Sequence, residues 1–105
     1  MADIRKAAFK EKFIKNLDFS DFKVAVSGVI VKILEEGFLL GDGSGEVYVN
    51  TSRMENQPIN KEQENVKVFG RITPYESGIE LQADIVRNLE GVDMDALKRI
   101  KEAFL

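Results

Sequence analysis

A glycine-rich polar turn between two short apolar runs, within residues 37–49, constrains the fold of this chain more than any other feature. The turn Asp42-Gly43-Ser44-Gly45 supplies residues able to adopt a positive φ, as tight hairpins require. β-rich runs precede and follow this hairpin and are separated by polar segments. We therefore predict a meander of five strands, at residues 23–34, 38–42, 46–50, 65–74 and 79–89.

The first predicted strand changes its apolar phase at Gly28. Val24 and Val26 share one face, whereas the apolar residues after the glycine have the opposite parity: Val29, Val31 and Ile33. Such a change at a glycine is typical of a β-bulge, which bends a strand strongly. A bulged first strand lets a small sheet curl on itself, so we predict a mainly β fold, a five-stranded OB-fold barrel at residues 23–89.

Alternation along the other strands predicts which side chains face the core. We expect the following to point inward: Val47, Val49, Val66, Val68, Gly70, Ile72, Ile79, Leu81, Ala83 and Ile85. Residues on the opposite face are Tyr48, Lys67, Phe69 and Arg71. Residues 51–64 are polar and contain Pro58, so we predict a loop with at most one helical turn there, and a turn-rich loop at 74–78.

The basic N-terminal segment, residues 1–17, is predicted to be helical. Its large apolar side chains recur every four residues, at Phe9, Phe13 and Leu17. This helix would lie over one end of the barrel, or act as a basic arm that contacts a phosphate backbone or a partner. The connector that follows contains Phe19 and Phe22, whose rings are expected to fill the core.

A second helix is predicted at residues 93–105. Asp93 suits the N-cap position, and Asp95 suits the positive end of the helix dipole. Apolar side chains recur along one face of this helix at Met94, Leu97, Ile100 and Phe104. This stripe either covers the end of the chain's own barrel or packs against a partner, and the pattern alone leaves both alternatives open.

Composition limits the chemistry that this chain can perform. Its 105 residues suffice for a single domain, residues 1–105, and they include no Cys and no His. Disulfides and thiolate metal sites are excluded, and the commonest general base is missing. We therefore expect a non-enzyme with no catalytic residue, no metal and no cofactor. No apolar run is long enough to span a bilayer, and the charged N-terminus lacks a signal-peptide core, which favours an intracellular protein without a membrane partner.

The net charge of −3 is spread unevenly along the chain. Residues 1–17 carry five basic and two acidic residues, and the remainder carries 10 basic and 16 acidic residues. An acidic body does not hold nucleic acid by bulk electrostatics, so any nucleic-acid site must be local. The candidates that can stack bases or meet phosphates are Tyr48, Arg53, Lys67, Arg71 and Tyr75. These residues also suit ordinary cross-strand packing and a solvated surface.

Three segments of the chain resemble the OB domains of replication protein A, the single-stranded DNA-binding factor of eukaryotes and archaea. They are Val24-Ala-Val-Ser-Gly28-Val-Ile-Val, Gly37-Phe-Leu-Leu-Gly-Asp42-Gly-Ser-Gly45-Glu-Val-Tyr-Val and Val66-Lys-Val-Phe-Gly70-Arg-Ile. The resemblance implies that the C-terminal helix joins helices of other subunits through Met94, Leu97, Ile100 and Phe104. It also implies base stacking near the end of the third barrel strand and in the loop after the fourth. Tyr75 fits the second place, whereas residues 50–52 offer no aromatic ring at the first.

The missing aromatic ring and the acidic body make the chain most similar to the small subunit, whose role in the family is largely assembly. The resemblance therefore implies a non-enzymatic subunit of a replication protein A-like complex in DNA replication or repair. Its expected partners are other such subunits and single-stranded DNA, bound weakly by the chain alone, in the cytoplasm of an archaeon or the nucleus of a eukaryote. The alternatives are a stand-alone OB-fold binder of single-stranded DNA or RNA and an OB-fold protein-interaction module without nucleic acid.

Overall fold

A computed structural model describes residues 9–56, 60–76 and 78–105. Within these residues the chain forms six strands, one 3-10 turn and one α-helix. The strands are β1 (Lys10–Glu11), β2 (Lys23–Leu34), β3 (Gly37–Gly41), β4 (Glu46–Asn50), β5 (Asn65–Tyr75) and β6 (Gly78–Asn88); the 3-10 turn is Ile14–Asn16 and the helix α1 is Met94–Phe104. The five predicted strands correspond to β2–β6, and their bounds agree within one residue.

The barrel closes because β2 has two partners. Its first half, from Lys23 to Val29, pairs antiparallel with β5, and its second half, from Val29 to Leu34, pairs antiparallel with β3. The sheet then continues through β4 and β6 to β5, and β4 and β6 run parallel to each other. The predicted five-stranded barrel is therefore confirmed, and β1 adds a short parallel strand at the edge of β2.

The bulge in β2 lies after Gly28, not at it. The register with β3 shifts between Ile30 and Lys32, which leaves Val31 as the extra residue. Ile30 is fully buried, whereas Val29 and Val31 are partly exposed on the outer face. Gly28 has a different role: a Cβ there would lie 2.5 Å from the carbonyl oxygen of Gly41, so only glycine permits this close approach.

A second bulge, in β6, was not predicted and reverses the position of Ile85. Phe69 pairs with Ile85 and Gly70 pairs with Ala83, so Asp84 is the extra residue. Ile85 consequently points outward and is 41% exposed, and the prediction that it faces the core is wrong. Val86 takes its place and packs against the core.

The β5–β6 hairpin is longer than predicted. Pro74 pairs with Ile79 and Tyr75 pairs with Gly78, so these residues belong to strands rather than to a turn-rich loop. Glu76, which follows Tyr75, has a φ of +50°. In the polar segment after β4, residues 51–56 and 60–64 form turns and contain no helix.

The prediction of an N-terminal helix is not met in the residues that can be compared. Residues 1–8 lie outside the described part of the chain, and from residue 9 to 17 the structure has β1 and the 3-10 turn. Lys10 and Glu11 pair with the edge of β2 that β3 leaves open, and the backbone N–H of Lys12 donates to the carbonyl of Ala25 at 3.1 Å. Backbone hydrogen bonds to β2 thus replace those that a helix would supply.

The hairpin turn between β3 and β4 fixes the 3-10 turn against the barrel. One carboxylate oxygen of Asp42 accepts from the backbone N–H of Ile14 at 2.9 Å, and the other accepts from the Ser44 hydroxyl at 2.6 Å. The Ser44 hydroxyl oxygen in turn accepts from the backbone N–H of Lys15 at 3.1 Å. This arrangement holds Ile14 in the core, where it is 7% exposed.

The prediction that Phe19 and Phe22 fill the core is wrong. The two residues are 60% and 73% exposed. The connector folds into a compact turn in which Asp21 accepts from the backbone N–H of Asp18 at 3.0 Å and pairs with Lys12 at 3.0 Å. This turn directs both rings into solvent, while Ile14 covers the barrel end. The core instead consists of Ile14, Val24, Val26, Ile30, Phe38, Leu40, Val47, Val49, Val66, Val68, Leu81 and Ala83.

Helix α1 begins at the predicted cap. The Asp93 carboxylate accepts from the backbone N–H of Ala96 at 3.1 Å, which confirms its N-cap role. Lys101 is the helix residue that lies deepest, at 8% exposure, with its Nζ 4.5 Å from the centroid of the Phe13 ring. Burial lowers the pKa of Lys101, while Glu11 and Asp42 oppose that shift. No helix in the described residues is long and apolar enough to cross a membrane.

Candidate functional site

Strand β5 carries an outward-facing row of side chains that includes three of the five predicted site residues. We call it the β5 row: Lys67, Phe69, Arg71, Thr73 and Tyr75. Alternate residues of a strand lie about 7 Å apart on one face, so the row is an extended track along the barrel surface. The adjacent inward positions Val66, Val68 and Gly70 are buried as predicted.

Tyr48 lies at the Tyr75 end of this row. It points outward from β4, as predicted, between the buried Val47 and Val49. The ring centroids of Tyr48 and Tyr75 are 5.7 Å apart, with the ring planes tilted by 45°. With Leu34 at the end of β2 and Glu35 and Glu36 of the turn that follows, the two rings line a cavity of about 360 Å³, which we call the tyrosine cleft.

The tyrosine cleft is acidic. Glu35 and Glu36 line it, and Glu80 of β6 pairs in register with Tyr48. The pKa of Tyr48 is raised, first by burial and then by the negative charges of Glu80 and Glu36, with smaller contributions from Tyr75 and Glu35. A surface that disfavours a phenolate also disfavours a phosphate group.

The raised pKa of Tyr48 gives a direct prediction, because Tyr48 and Tyr75 are the only tyrosines in the chain. In a Tyr75→Phe variant, we expect the phenolate absorbance to appear at a pH above the ordinary tyrosine value of 10.0. Because the pKa of Tyr48 is higher in the folded than in the unfolded chain, the neutral phenol stabilises the fold relative to the phenolate. This stabilisation is complete below pH 10 and is lost as the pH rises through the folded pKa. Adding Glu80→Gln should move the midpoint back towards the ordinary value, while Glu90→Gln, a distant control, should leave it unchanged. A titration midpoint of Tyr48 that does not change when Glu80→Gln is added would contradict this account.

The predicted basic residues are less available than the sequence indicates. Lys67 forms a salt bridge with Glu11 of β1, and Arg71 forms one with Asp84 at 2.9 Å. Arg53 lies outside the row, exposed in the turn that follows β4. The structure thus brings together Tyr48 and Tyr75, and places Lys67 and Arg71 on the same row with their charges already paired.

A second aromatic surface, at the start of β2, was missed by the sequence analysis. The Nζ of Lys23 lies 5.4 Å from the ring centroid of Phe9 and 5.9 Å from that of Phe22, and Phe9 packs edge-on against Phe69 at 5.3 Å. This surface therefore continues the middle of the β5 row. The sequence signal for this surface is Phe22 directly before a lysine in a polar connector. The same pattern is compatible with the interpretation of Phe22 as a core residue.

The apolar stripe of α1 divides into a covered part and an exposed part. Met94 and Leu97 are half-buried, whereas Ile100 and Phe104 are 58% and 82% exposed, and Leu105 beyond the helix is 57% exposed. A cleft of about 270 Å³ lies beside them, lined by Glu11, Leu97, Ile100, Lys101, Phe104 and Leu105. The described residues contain no group of three or more acidic side chains placed to hold a metal ion.

Several solved structures are similar to this chain in fold. A chain of the S. pombe Stn1–Ten1 complex is similar with a TM-score of 0.75 at 16% identity, over 91% of this chain and 90% of that chain. The chain has the OB fold. The telomere capping protein Ten1 from S. pombe is similar with a TM-score of 0.73 at 16% identity, over 91% of this chain and 96% of that one.

A replication protein A heterotrimer bound to single-stranded DNA also contains a similar chain, with a TM-score of 0.62 at 13% identity. The match covers 77% of this chain and 66% of that chain. The fold implied by the resemblance to replication protein A is therefore confirmed. No protein-family model and no curated protein matches the sequence.

Proposed function

We propose that this chain is a non-enzymatic OB-fold subunit of a replication protein A-like complex that binds single-stranded DNA. The observation that carries the proposal is the exposed apolar end of α1 on an OB barrel. Two of the similar chains come from assemblies, the Stn1–Ten1 complex and a replication protein A heterotrimer bound to single-stranded DNA. The small-subunit role suits a chain of which 91% aligns with Ten1, and it would act wherever the cell maintains its DNA.

The proposed contact with other subunits is the exposed part of the α1 stripe. Ile100, Phe104 and Leu105 form a continuous apolar surface next to a cleft that can receive side chains of another helix. An apolar patch of this kind on a helix is typical of helix–helix association. Met94 and Leu97 would contribute from the half-buried side of the stripe.

An exposed apolar helix end should make the chain self-associate when its partner is absent. We expect sedimentation velocity to show concentration-dependent species larger than a monomer, which Phe104→Asp converts to a monomer. Because Phe104 is 82% exposed, this variant should keep the unfolding free energy of the parent within about 0.5 kcal/mol. Glu102→Gln, at an exposed polar position of the same helix, is the matched control. A parent that stays monomeric at its solubility limit would count against assembly through α1.

The proposed contact with DNA is weak in the chain alone. The two cations of the β5 row are paired with Glu11 and Asp84, so binding a phosphate must first break or share a salt bridge. Carboxylates at the tyrosine cleft oppose a phosphate chain at that end. The most favourable stretch is the middle of the row, where the Lys67 Nζ lies 5.5 Å from the centroid of the Phe69 ring and Arg71 is the next outward residue along β5.

We expect the chain to bind a labelled single-stranded oligonucleotide of about 30 nucleotides weakly, with an affinity that falls as salt rises. Arg71→Ala should weaken binding a few-fold and lower the salt slope by about one, because it removes one phosphate contact. Arg99→Ala, an exposed cation on α1, should change neither quantity. Fluorescence anisotropy at two salt concentrations measures both, and salt-independent binding would contradict the contact.

A further inference from the structure

The tyrosine cleft has features that DNA binding does not explain. Its two rings are partly exposed, Tyr75 at 47%, yet its surroundings carry three carboxylates, and among the described residues no basic side chain lines it. Aromatic faces carry negative charge density, so rings and carboxylates together create one region of negative potential. Such a region attracts cations.

Glu80 supplies a second, independent observation. It is only 6% exposed, yet its single side-chain hydrogen bond within the described residues comes from the uncharged amide of Gln82 at 3.3 Å. The salt bridges of the described residues involve Asp21, Glu11 and Asp84, and none of them involves Glu80. A buried carboxylate without a cation is unfavourable, and a ligand cation beside Tyr48 would relieve that cost.

The geometry of the rings suits a flat cation. A charge within about 6 Å of a ring centroid is attracted to the ring face. Since the two centroids are 5.7 Å apart, a single charge placed over the cleft can lie within that distance of both rings. A guanidinium can stack on a ring through its plane and still donate two hydrogen bonds to a carboxylate, which an ammonium does less well.

We propose that the tyrosine cleft binds the guanidinium group of an arginine in a basic segment of a partner protein. Tyr48 and Tyr75 provide the ring faces, Glu80 provides the buried counter-charge, and Glu35 and Glu36 attract the flanking basic residues. The occupant is a protein segment rather than a nucleic acid, because the surface charge complements a cation and repels a phosphate backbone. This site is separate from α1 and does not depend on assembly through α1 or on the DNA contact of the β5 row.

The test uses the intrinsic fluorescence of the chain, which comes from Tyr48 and Tyr75 alone because the chain has no Trp. The probe is a blocked glycine-rich peptide with two arginines, titrated into the full chain, and the matched probe replaces arginine with citrulline, which has the same shape and no charge. We expect the arginine peptide to change the tyrosine signal saturably and the citrulline peptide to have no effect. A lysine peptide should bind more weakly.

Two variants localise the binding by isothermal titration calorimetry. Tyr75→Leu removes a ring face and Glu80→Gln removes the buried charge without changing shape, and each should weaken the arginine peptide about five- to tenfold. Glu90→Gln, an acidic position outside the cleft, should leave the affinity unchanged, and urea unfolding confirms that each variant is folded. Equal binding of the arginine and citrulline peptides, or arginine binding unchanged in both cleft variants, overturns the proposal. The proposal is also overturned if an oligonucleotide displaces the arginine peptide from the cleft and Arg71→Ala has no effect on that displacement.

Discussion

Replacing Phe38 with alanine should destabilise the barrel by about 4 kcal/mol, the typical cost of removing a buried phenylalanine. Phe38 is 2% exposed and is one of the largest buried side chains, on β3 opposite Val49. Its ring lies in the single core cluster of the described residues, so the surrounding strands cannot close the cavity without distorting their pairing. A domain of this size has a total stability of roughly 5–15 kcal/mol, so the variant should unfold at a much lower urea concentration.

Phe22→Ala is the matched control, since it removes the same side chain from a position that is 73% exposed. Its cost should stay below about 0.5 kcal/mol, which is the usual range for surface substitutions. Comparing the two variants tests whether Phe22 is exposed, as in the structure, or fills the core, as the sequence predicts. If Phe22→Ala destabilised the protein as much as Phe38→Ala, the exposed position of the connector would be wrong.

Replacing Gly37 with alanine should cost about 3 kcal/mol, although it adds a single methyl group. A Cβ at Gly37 would lie 1.8 Å from the carbonyl oxygen of Val49 and 3.1 Å from the Cα of Asn50. Both are backbone atoms, so no side-chain rotation can relieve the overlap. The pairing between Gly37 and Asn50 at the end of the β3–β4 ladder would have to open.

Gly78→Ala provides the control for this effect. A Cβ at Gly78 would have the carbonyl oxygen of Tyr75 as its nearest neighbour, at 3.9 Å, which is ordinary contact. The expected change in unfolding free energy is within about 0.5 kcal/mol, and it can be favourable because alanine restricts the unfolded chain. Urea denaturation of both variants measures the difference. Equal stabilities would mean that β3 and β4 are not as close at Gly37 as the structure has them.

Local alternation identified the strands because each long strand faces core on one side and solvent on the other. It failed where a bulge intervened. Ile85 was predicted to face the core because the pattern from Ile79 continues through it, and nothing in the residues marks Asp84 as the extra position. The bulge in β2 was expected at Gly28, but register depends on which partner strand each half of β2 meets, and that is not a local property.

For the candidate site too, the sequence predicted the direction of side chains but not their interactions. The outward positions of Tyr48, Lys67 and Arg71 could be predicted from strand phase. Their interactions could not, because the salt bridge between Arg71 and Asp84 depends on the bulge, and the one between Lys67 and Glu11 depends on β1. The position of Glu80 beside Tyr48 likewise requires the parallel pairing of β4 with β6, which only the closed barrel creates.

The double partnership of β2 also has a consequence for how the protein is made. A ribosome releases the first half of β2, from Lys23 to Val29, well before β5, because two strands, β3 and β4, and their loops lie between β2 and β5. Until then that half has an unpaired hydrogen-bonding edge rich in β-branched residues, which is the kind of segment that joins other chains. Barrel closure therefore belongs late in folding, and the nascent chain is most prone to aggregation before β5 is available to pair with β2.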